Sequence, residues 1–544
     1  MPARALRLAG SDQRPRARAL DQSRSPPGAP SDPSERPAAG GTHGHGDDGP
    51  GPMIDTPSVD WFALSPSLAT LGAAAICLLS EAFVPRWILR PFAAFFCALG
   101  FIAGGALAIL LYIETPHGSL EVADAIFRDR YAAFTQILVM GAGLLTVGVS
   151  YSARMREDHI GEYYALLVTA GAGMAFLVQS ANLMTLFLGL EWFSVCLYIL
   201  CAIEIDLVGS LEAGLKYLII GGMGSAVLLF GSALVYGATG ELGYSAIADA
   251  TRAQDLAGDP ILLVGLAMLL AGLAFKSSAA PFHMWTPDVY EGAPTPITGF
   301  MAAATKTVAL VLMYRVLTVA FPEERDVWTI AVAVLAVISL AWGNIAALVQ
   351  ANVKRLLAYS SISHAGFMLI AVSAANELGV RALLYYLIPY SAISVGAFAV
   401  VAARERELGE PVTLDNLAGF GWERPLLGFS MATFMLGFAG FPLTGGFMGK
   451  FLVFSSASEA GWNWLVIVGV LATLVSLYYY LAVIRSMYMR PAAELGLAPI
   501  GGSPPREIML SSAAFLAMAV NVGSFFAVQP LVDFARSAAE TLPL

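Results

Sequence analysis

The stretch from Leu273 to Leu310, LAFKSSAAPFHMWTPDVYEGAPTPITGFMAAATKTVAL, sets two lysines and several helix breakers inside sequence otherwise apolar enough for a lipid bilayer. Lys276 lies late in an apolar run that Pro281 interrupts, a polar turn follows, and Lys306 sits near the middle of the next apolar run. An ammonium group at bilayer depth costs at least ~2.5–3.5 kcal/mol, so a lysine kept there points to function.

The surrounding chain is the solvent those lysines must live in. Of its 544 residues 57% are hydrophobic and 13% charged, where a soluble domain carries roughly 25% charge. Apolar runs of about 20 residues recur along it, the length that crosses a bilayer as helix. The expected fold is an all-α polytopic membrane protein with fourteen spans: 62–84, 91–113, 131–150, 163–179, 183–204, 212–238, 261–283, 296–320, 327–350, 355–376, 378–403, 425–456, 463–488 and 508–528. In such a protein the net charge of −10 says little about partners.

Residues 1–52 are of another kind, rich in Arg, Pro, Ser, Gly and Asp, and are expected to be a disordered extension, with Met53 as a candidate start. No apolar core follows the arginines at signal-peptide distance. His43 and His45 read as solvent-exposed rather than as metal ligands. Residues 53–544 form the membrane domain.

Loops after odd-numbered spans hold Arg86, Arg90, Arg154, Arg156, Lys354, Arg355, Arg404, Arg406, Arg424, Arg485, Arg490 and Arg506. The positive-inside rule makes those loops cytoplasmic and, with an even span count, both termini outward. Lys354, Arg355, Arg315 and Glu81 lie near span ends and read as interfacial anchors. Cys77, Cys97, Cys196 and Cys201 all fall in apolar runs without a CxxC pair, and read as packing thiols rather than metal or cluster ligands.

Two spans are irregular. The seventh holds Pro281 after Lys276, and the twelfth, too long for one simple helix, holds GFAGFPLTGGFMGK, with Pro442, Gly445 and Gly446 ahead of Lys450. Proline removes an amide donor, and glycine eases a non-helical backbone, so both helices should break within the membrane. Breaks at matching places suggest two five-helix repeats, about 163–320 and 327–488, the second inverted because each has an odd number of spans.

The ionisable groups within the spans are the candidate site. Glu191, in LFLGLEWFSVCLYI, has no basic neighbour in sequence and is expected to pair with Lys276. Opposite charges held close favour ionisation of both while desolvation opposes it, so such a pair is poised to exchange a proton. Lys216 lies only about a turn inside its span, where snorkelling to the interface is the plain alternative. His364, in LAYSSISHAGFML, sits in a polar stripe with Tyr359, Ser360, Ser361 and Ser363, and a hydrogen-bonded core histidine is its alternative. With Lys306 and Lys450 these groups make a chain of protonatable sites, which marks proton pathways. No phosphate-binding loop accompanies them, and Gly221, Gly222 and Gly224 lie in an apolar span, where small residues let helices approach. Redox centres, if they drive the protein, belong to other chains.

PFHMWTPDVYEGAPTPITGF, LEAGLKYLIIGGMGSAVLLFGSALVYGATG, LAYSSISHAGFML and TGGFMGKF together resemble the subunit N family, antiporter-like membrane subunits of bacterial proton-pumping NADH:quinone oxidoreductase (respiratory complex I) and counterparts of mitochondrial subunit two. The likeness runs from about Met53 to the C-terminus. Lys306 stands where the related L and M subunits usually have histidine. The resemblance implies a central polar axis in which Glu191 is the fifth-helix glutamate, Lys216 a sixth-helix lysine, Lys276 and Lys450 the broken-helix lysines and Lys306 the bridging lysine; His364 matches in position. It also implies a bacterial inner or plasma membrane and membrane-subunit neighbours of types M, K and J. NADH, flavin, iron–sulfur clusters and quinone would be held by partner subunits, with no cofactor, metal or nucleic acid on this chain. A stand-alone or Mrp-type cation/proton antiporter subunit is the alternative function, and a non-pumping scaffold the third.

Overall fold

The computed structural model describes residues 58–153, 159–490 and 507–542. Expectations for residues 1–52 and for Met53, Arg154, Arg156 and Arg506 lie outside them. Helices α1 (Ser65–Phe83) and α2 (Arg86–Glu114) lead to a hairpin, β1 (Ser119–Glu121) antiparallel to β2 (Ile126–Arg128), with Ser119 opposite Arg128. Then follow α3 (Arg130–Ser150), α4 (Ile160–Leu177), α5 (Leu183–Cys201), α6 (Val208–Thr239), the short α7 (Tyr244–Ala253), α8 (Pro260–Lys276) and α9 (Trp285–Gly292). Next come α10 (Thr295–Phe300), a π-helical turn (Met301–Thr305) and α11 (Lys306–Ala320), which form one continuous rod, then α12 (Arg325–Ala347), α13 (Val353–Ala374) and α14 (Glu377–Leu408). The chain ends in α15 (Phe420–Glu423), α16 (Pro425–Ala439), α17 (Gly445–Glu459), α18 (Asn463–Met489), α19 (Ile508–Phe526) and α20 (Val528–Ala539). Among the described residues twelve helices are long and apolar enough to cross a membrane.

The two irregular spans are each found in two pieces. The first breaks between Lys276 and Trp285, where Ser278 takes a left-handed φ of 61°. The segment expected as a polar turn is itself helical: Trp285 and Tyr290 bury one face of α9, and Pro287 falls in its first turn, where a missing amide is harmless. The second breaks at Gly440, whose φ of 77° ends α16 in the left-handed conformation that glycine adopts freely. At Gly446 a side chain would collide with the carbonyl oxygen of Gly437, so glycine lets the two broken ends touch.

Burial sorts the helices. Every residue of the apolar window in the α10–α11 rod is buried, as are 94% in α13 and α14, against 33% in α18 and 39% in α2 and α6. The rod, α13 and α14 therefore form the interior, while helices such as α2, α6 and α18 turn an apolar face outward. Arg315, read from sequence as an interfacial anchor, is instead fully buried on α11. Its guanidinium donates to Asp129 Oδ2 at 2.5 Å and to the Val178 carbonyl at 2.9 Å, between the rings of Phe127 and Tyr131. Lys354 is buried too. The apolar pattern around each residue hides such a change, because an arginine near a helix end can equally reach outward or be closed over.

Two junctions have the same form. Asn182 caps α5 and bridges Gly243 after α6, with Leu183 N donating to Leu242 O and Tyr244 N to Ala181 O. Asn352 caps α13 and bridges Thr413 after α14, with Val353 N donating to Val412 O and Leu414 N to Ala351 O.

Candidate functional site: a row of buried lysines

Lys276 is the last residue of α8, where unpaired carbonyls give the helix end a partial negative charge that favours an ammonium. Its Nζ donates to Ser194 Oγ at 2.7 Å and lies 5.4–5.7 Å from the ring centres of Phe193, Tyr198, Tyr217 and Phe275. Each well-placed ring attracts a desolvated cation by about 0.5–2 kcal/mol. Glu191, one turn before Ser194 on α5, accepts a hydrogen bond from Ser225 of α6. The expected direct pair is not formed: among the described residues no ion pair joins Glu191 to Lys276. Two serines stand at the carboxylate and the ammonium instead, and the aromatic cage supplies the attraction a contact ion pair would.

Lys306 follows the π-helical turn, an irregularity frequent at functional sites. It is completely buried, and its Nζ donates to Ser361 Oγ of α13 at 2.5 Å. Tyr390 Oη of α14 donates to the same Ser361 oxygen at 3.4 Å, and the neighbouring Thr307 meets Ser391 at 3.0 Å.

One turn beyond Ser361, His364 has Tyr386 Oη 2.8 Å from Nδ1 and Tyr480 Oη 3.0 Å from Nε2. Tyr480 in turn meets Ser360. An imidazole with a hydroxyl at each nitrogen can accept a proton on one side and give one up on the other. Lys450 lies in the second turn of α17, beyond the break; its Nζ donates to the Ala439 carbonyl, an otherwise unpaired group at the end of α16, at 3.1 Å and stands 4.4 Å from the centre of the Phe367 ring. Ser361, His364 and Phe367 share one face of α13, so that helix links the central lysine to the last one.

Lys216 is set apart from this row. Its side chain is 39% exposed and pairs with Glu212 and Asp288, each at 2.7 Å. It lines an open vestibule of about 740 Å³ with Glu204, Asp288, Lys354, Arg355 and Glu405. Arg355 holds Asp288 and Glu291, each at 2.9 Å. Glu204, Glu405, Tyr198, Tyr386, Tyr390 and Tyr480 were not singled out from sequence. The two glutamates lie at span ends, where acids usually face water. The tyrosines are legible only as polar tips within apolar runs, a signal shared with ordinary core tyrosines.

Residues 180–476 match the family model described as NADH:quinone oxidoreductase/Mrp antiporter, TM. NADH-quinone oxidoreductase subunit N of Trichlorobacter lovleyi is 41% identical over 429 residues, covering 78% of this chain and 87% of that one. The chain belongs to the subunit N family of NADH-quinone oxidoreductases. The subunit N of Mycobacterium tuberculosis is 37% identical over 537 residues, covering 90% of this chain and all of its own length. A chain of respiratory complex I from Thermus thermophilus, solved with bound aureothin, superposes with a TM-score of 0.69 at 32% identity, covering 86% of this chain and 99% of that one. A chain of the Mrp complex from a Dietzia species has a TM-score of 0.77 at 20% identity, with 89% and 98% covered, a likeness of fold alone. The protein is thus a multi-pass membrane protein of the antiporter-like fold.

Proposed function

We propose that this chain works as a proton-translocating membrane-arm subunit of NADH:quinone oxidoreductase, coupled to NADH oxidation and quinone reduction carried out in neighbouring subunits. The observation that carries this reading is the row of buried bases, Lys276, Lys306, His364 and Lys450, hydrogen-bonded to Ser194, to Ser361, to Tyr386 and Tyr480, and to the Ala439 carbonyl rather than neutralised by contact carboxylates. A buried lysine without a contact acid changes charge readily when its surroundings move, the property a carrier of protons needs. Glu191 and Ser225 would set the field at the first lysine. Lys216 would act from the vestibule side.

In this reading α8 with α9, and α16 with α17, each cross the membrane once, giving fourteen spans. The two like junctions support inverted repeats: counting from Asn182 and Asn352 aligns Glu191 with Ser361 and Ser194 with His364. Basic loops favour outward termini. Membrane subunits of types M, K and J would be neighbours, and redox groups would remain theirs or those of other subunits.

In an assembled complex reconstituted in liposomes, Lys276→Ala and Glu191→Gln are each expected to lower proton uptake per quinone reduced; unchanged stoichiometry in both sinks the reading. Sodium- or potassium-for-proton exchange by the chain without its redox partners would favour the antiporter alternative.

A further inference from the structure

At the floor of the vestibule, two side chains grip the connection between α9 and α10 within three residues of one another. Lys354 of α13 donates to the Ala293 carbonyl at 2.8 Å. Glu405 of α14 accepts from the Thr295 hydroxyl and lies 3.7 Å from Lys354 Nζ. The connection joins the two pieces of chain that matter most: α9 follows the break after Lys276, and α10 begins the rod that carries Lys306. On its other side α9 is held by Lys216 and Arg355 through Asp288.

We propose that Glu405 is a proton-accepting latch, taking a proton from vestibule water and thereby releasing the start of the Lys306 rod. The proton adds to a carboxylate oxygen. The neutral acid loses its attraction for Lys354 and one of its acceptor sites, while Lys354 stays charged and keeps the Ala293 carbonyl. The charged groups that face Glu405 are Lys354 from α13 and Glu204 from the α5–α6 connection, with Arg406 and Glu410 beside it on its own segment. The Lys216, Asp288, Arg355 and Glu291 network lines the same vestibule. Glu204 lies close enough to feel the same two groups: burial raises its pKa, Lys354 lowers it and Glu405 raises it again. Thr298, one turn along α10, donates its hydroxyl to the Tyr290 carbonyl and so ties α10 back to α9.

The latch rests on the proposed pumping role and is tested beside it. Assembled complex carrying Glu405→Gln, Glu405→Asp or Thr295→Val is compared with Lys276→Ala in liposomes, reading the rate of proton uptake and the protons taken up per quinone reduced across pH. Glu405→Gln is expected to slow uptake about tenfold and flatten its pH profile; this is less than the ~10²–10⁴-fold of a fixed acid–base group because water still reaches the floor. Glu405→Asp should keep most of the rate and the pH dependence. Thr295→Val, which leaves every charge in place, should slow uptake less but in the same direction, and it decides the matter if the glutamine variant does not assemble. Wild-type uptake and pH profile in Glu405→Gln, or in Thr295→Val where that variant decides, overturn the latch. If Lys276→Ala loses uptake in the same preparation, the pumping role survives; if it too is unchanged, the pumping role falls first.

Discussion

Arg315 and Asp129 show what one residue can hide. Both are completely enclosed, the guanidinium is shared between a carboxylate, a carbonyl and two ring faces, and the pair ties α11 to the start of α3. Removing one partner of such a pair leaves the other charge buried, so Asp129→Ala should destabilise the chain by about 3–5 kcal/mol, while the apolar double change Asp129→Leu with Arg315→Met should recover much of that. Thermal unfolding of the detergent-solubilised protein measures both; equal loss in single and double variants would contradict the account. The acids and bases of the axis were mostly legible because a bilayer makes every interior charge conspicuous. Their partners were not. Nothing in LFLGLEWFSVCLYI says that Ser194 rather than Glu191 receives Lys276, since a helix puts both on neighbouring faces and only the third dimension chooses.

At the scale of elements, the breaks were readable and their form was not. Pro281, Pro442, Gly445 and Gly446 mark the interruptions, but α9 was hidden in a segment whose proline and acids suggest a turn; burial of Trp285 and Tyr290 outweighs local propensity there. The second break depends on contact between its ends. Gly446→Ala must push the Gly437 carbonyl aside, and overpacking of this kind costs about 1–3 kcal/mol. Because Lys450 bonds to the end of α16, that variant should lose proton uptake as well as melting temperature, whereas Gly461→Ala, at an open left-handed turn, should lower melting temperature alone. The junctions at Asn182 and Asn352 were available as sequence: Ala-Asn-Leu and Ala-Asn-Val each precede a span by the same offset. Three residues are too short a match to stand out in 544 without a structure to pair them.

For the molecule as a whole, hydropathy gives the number and direction of apolar runs but not which of them become interior. The α10–α11 rod and α14 are scarcely distinguished by composition from the outward-facing helices, yet they are almost wholly enclosed, since neighbours on every side exclude lipid. Their polar ends meet at the vestibule, where Glu204 makes stability depend on pH. Burial, opposed by Lys354 and reinforced by Glu405, lifts its pKa, so the folded chain binds that proton more tightly than the unfolded one. The contribution is full below the ordinary glutamate value of about 4.3 and is lost as pH rises through the raised value. Glu204→Gln should therefore gain melting temperature relative to the parent as pH climbs through that window; a constant difference between the two at every pH would exclude Glu204 as the cause.

The π-helical turn before Lys306 has one more consequence. A π turn is an α-helix holding one residue too many, and each residue turns a helix by about 100°. The extra residue rotates the remainder of the rod, which begins at Lys306 and from there meets Ser361. Deleting Ala303 should let Met301–Thr305 relax to ordinary helix and swing the second part of the rod through about a quarter turn. The position of the central charge is thus set by an insertion, a length change in the chain, and no substitution at Lys306 or Ser361 would imitate its removal.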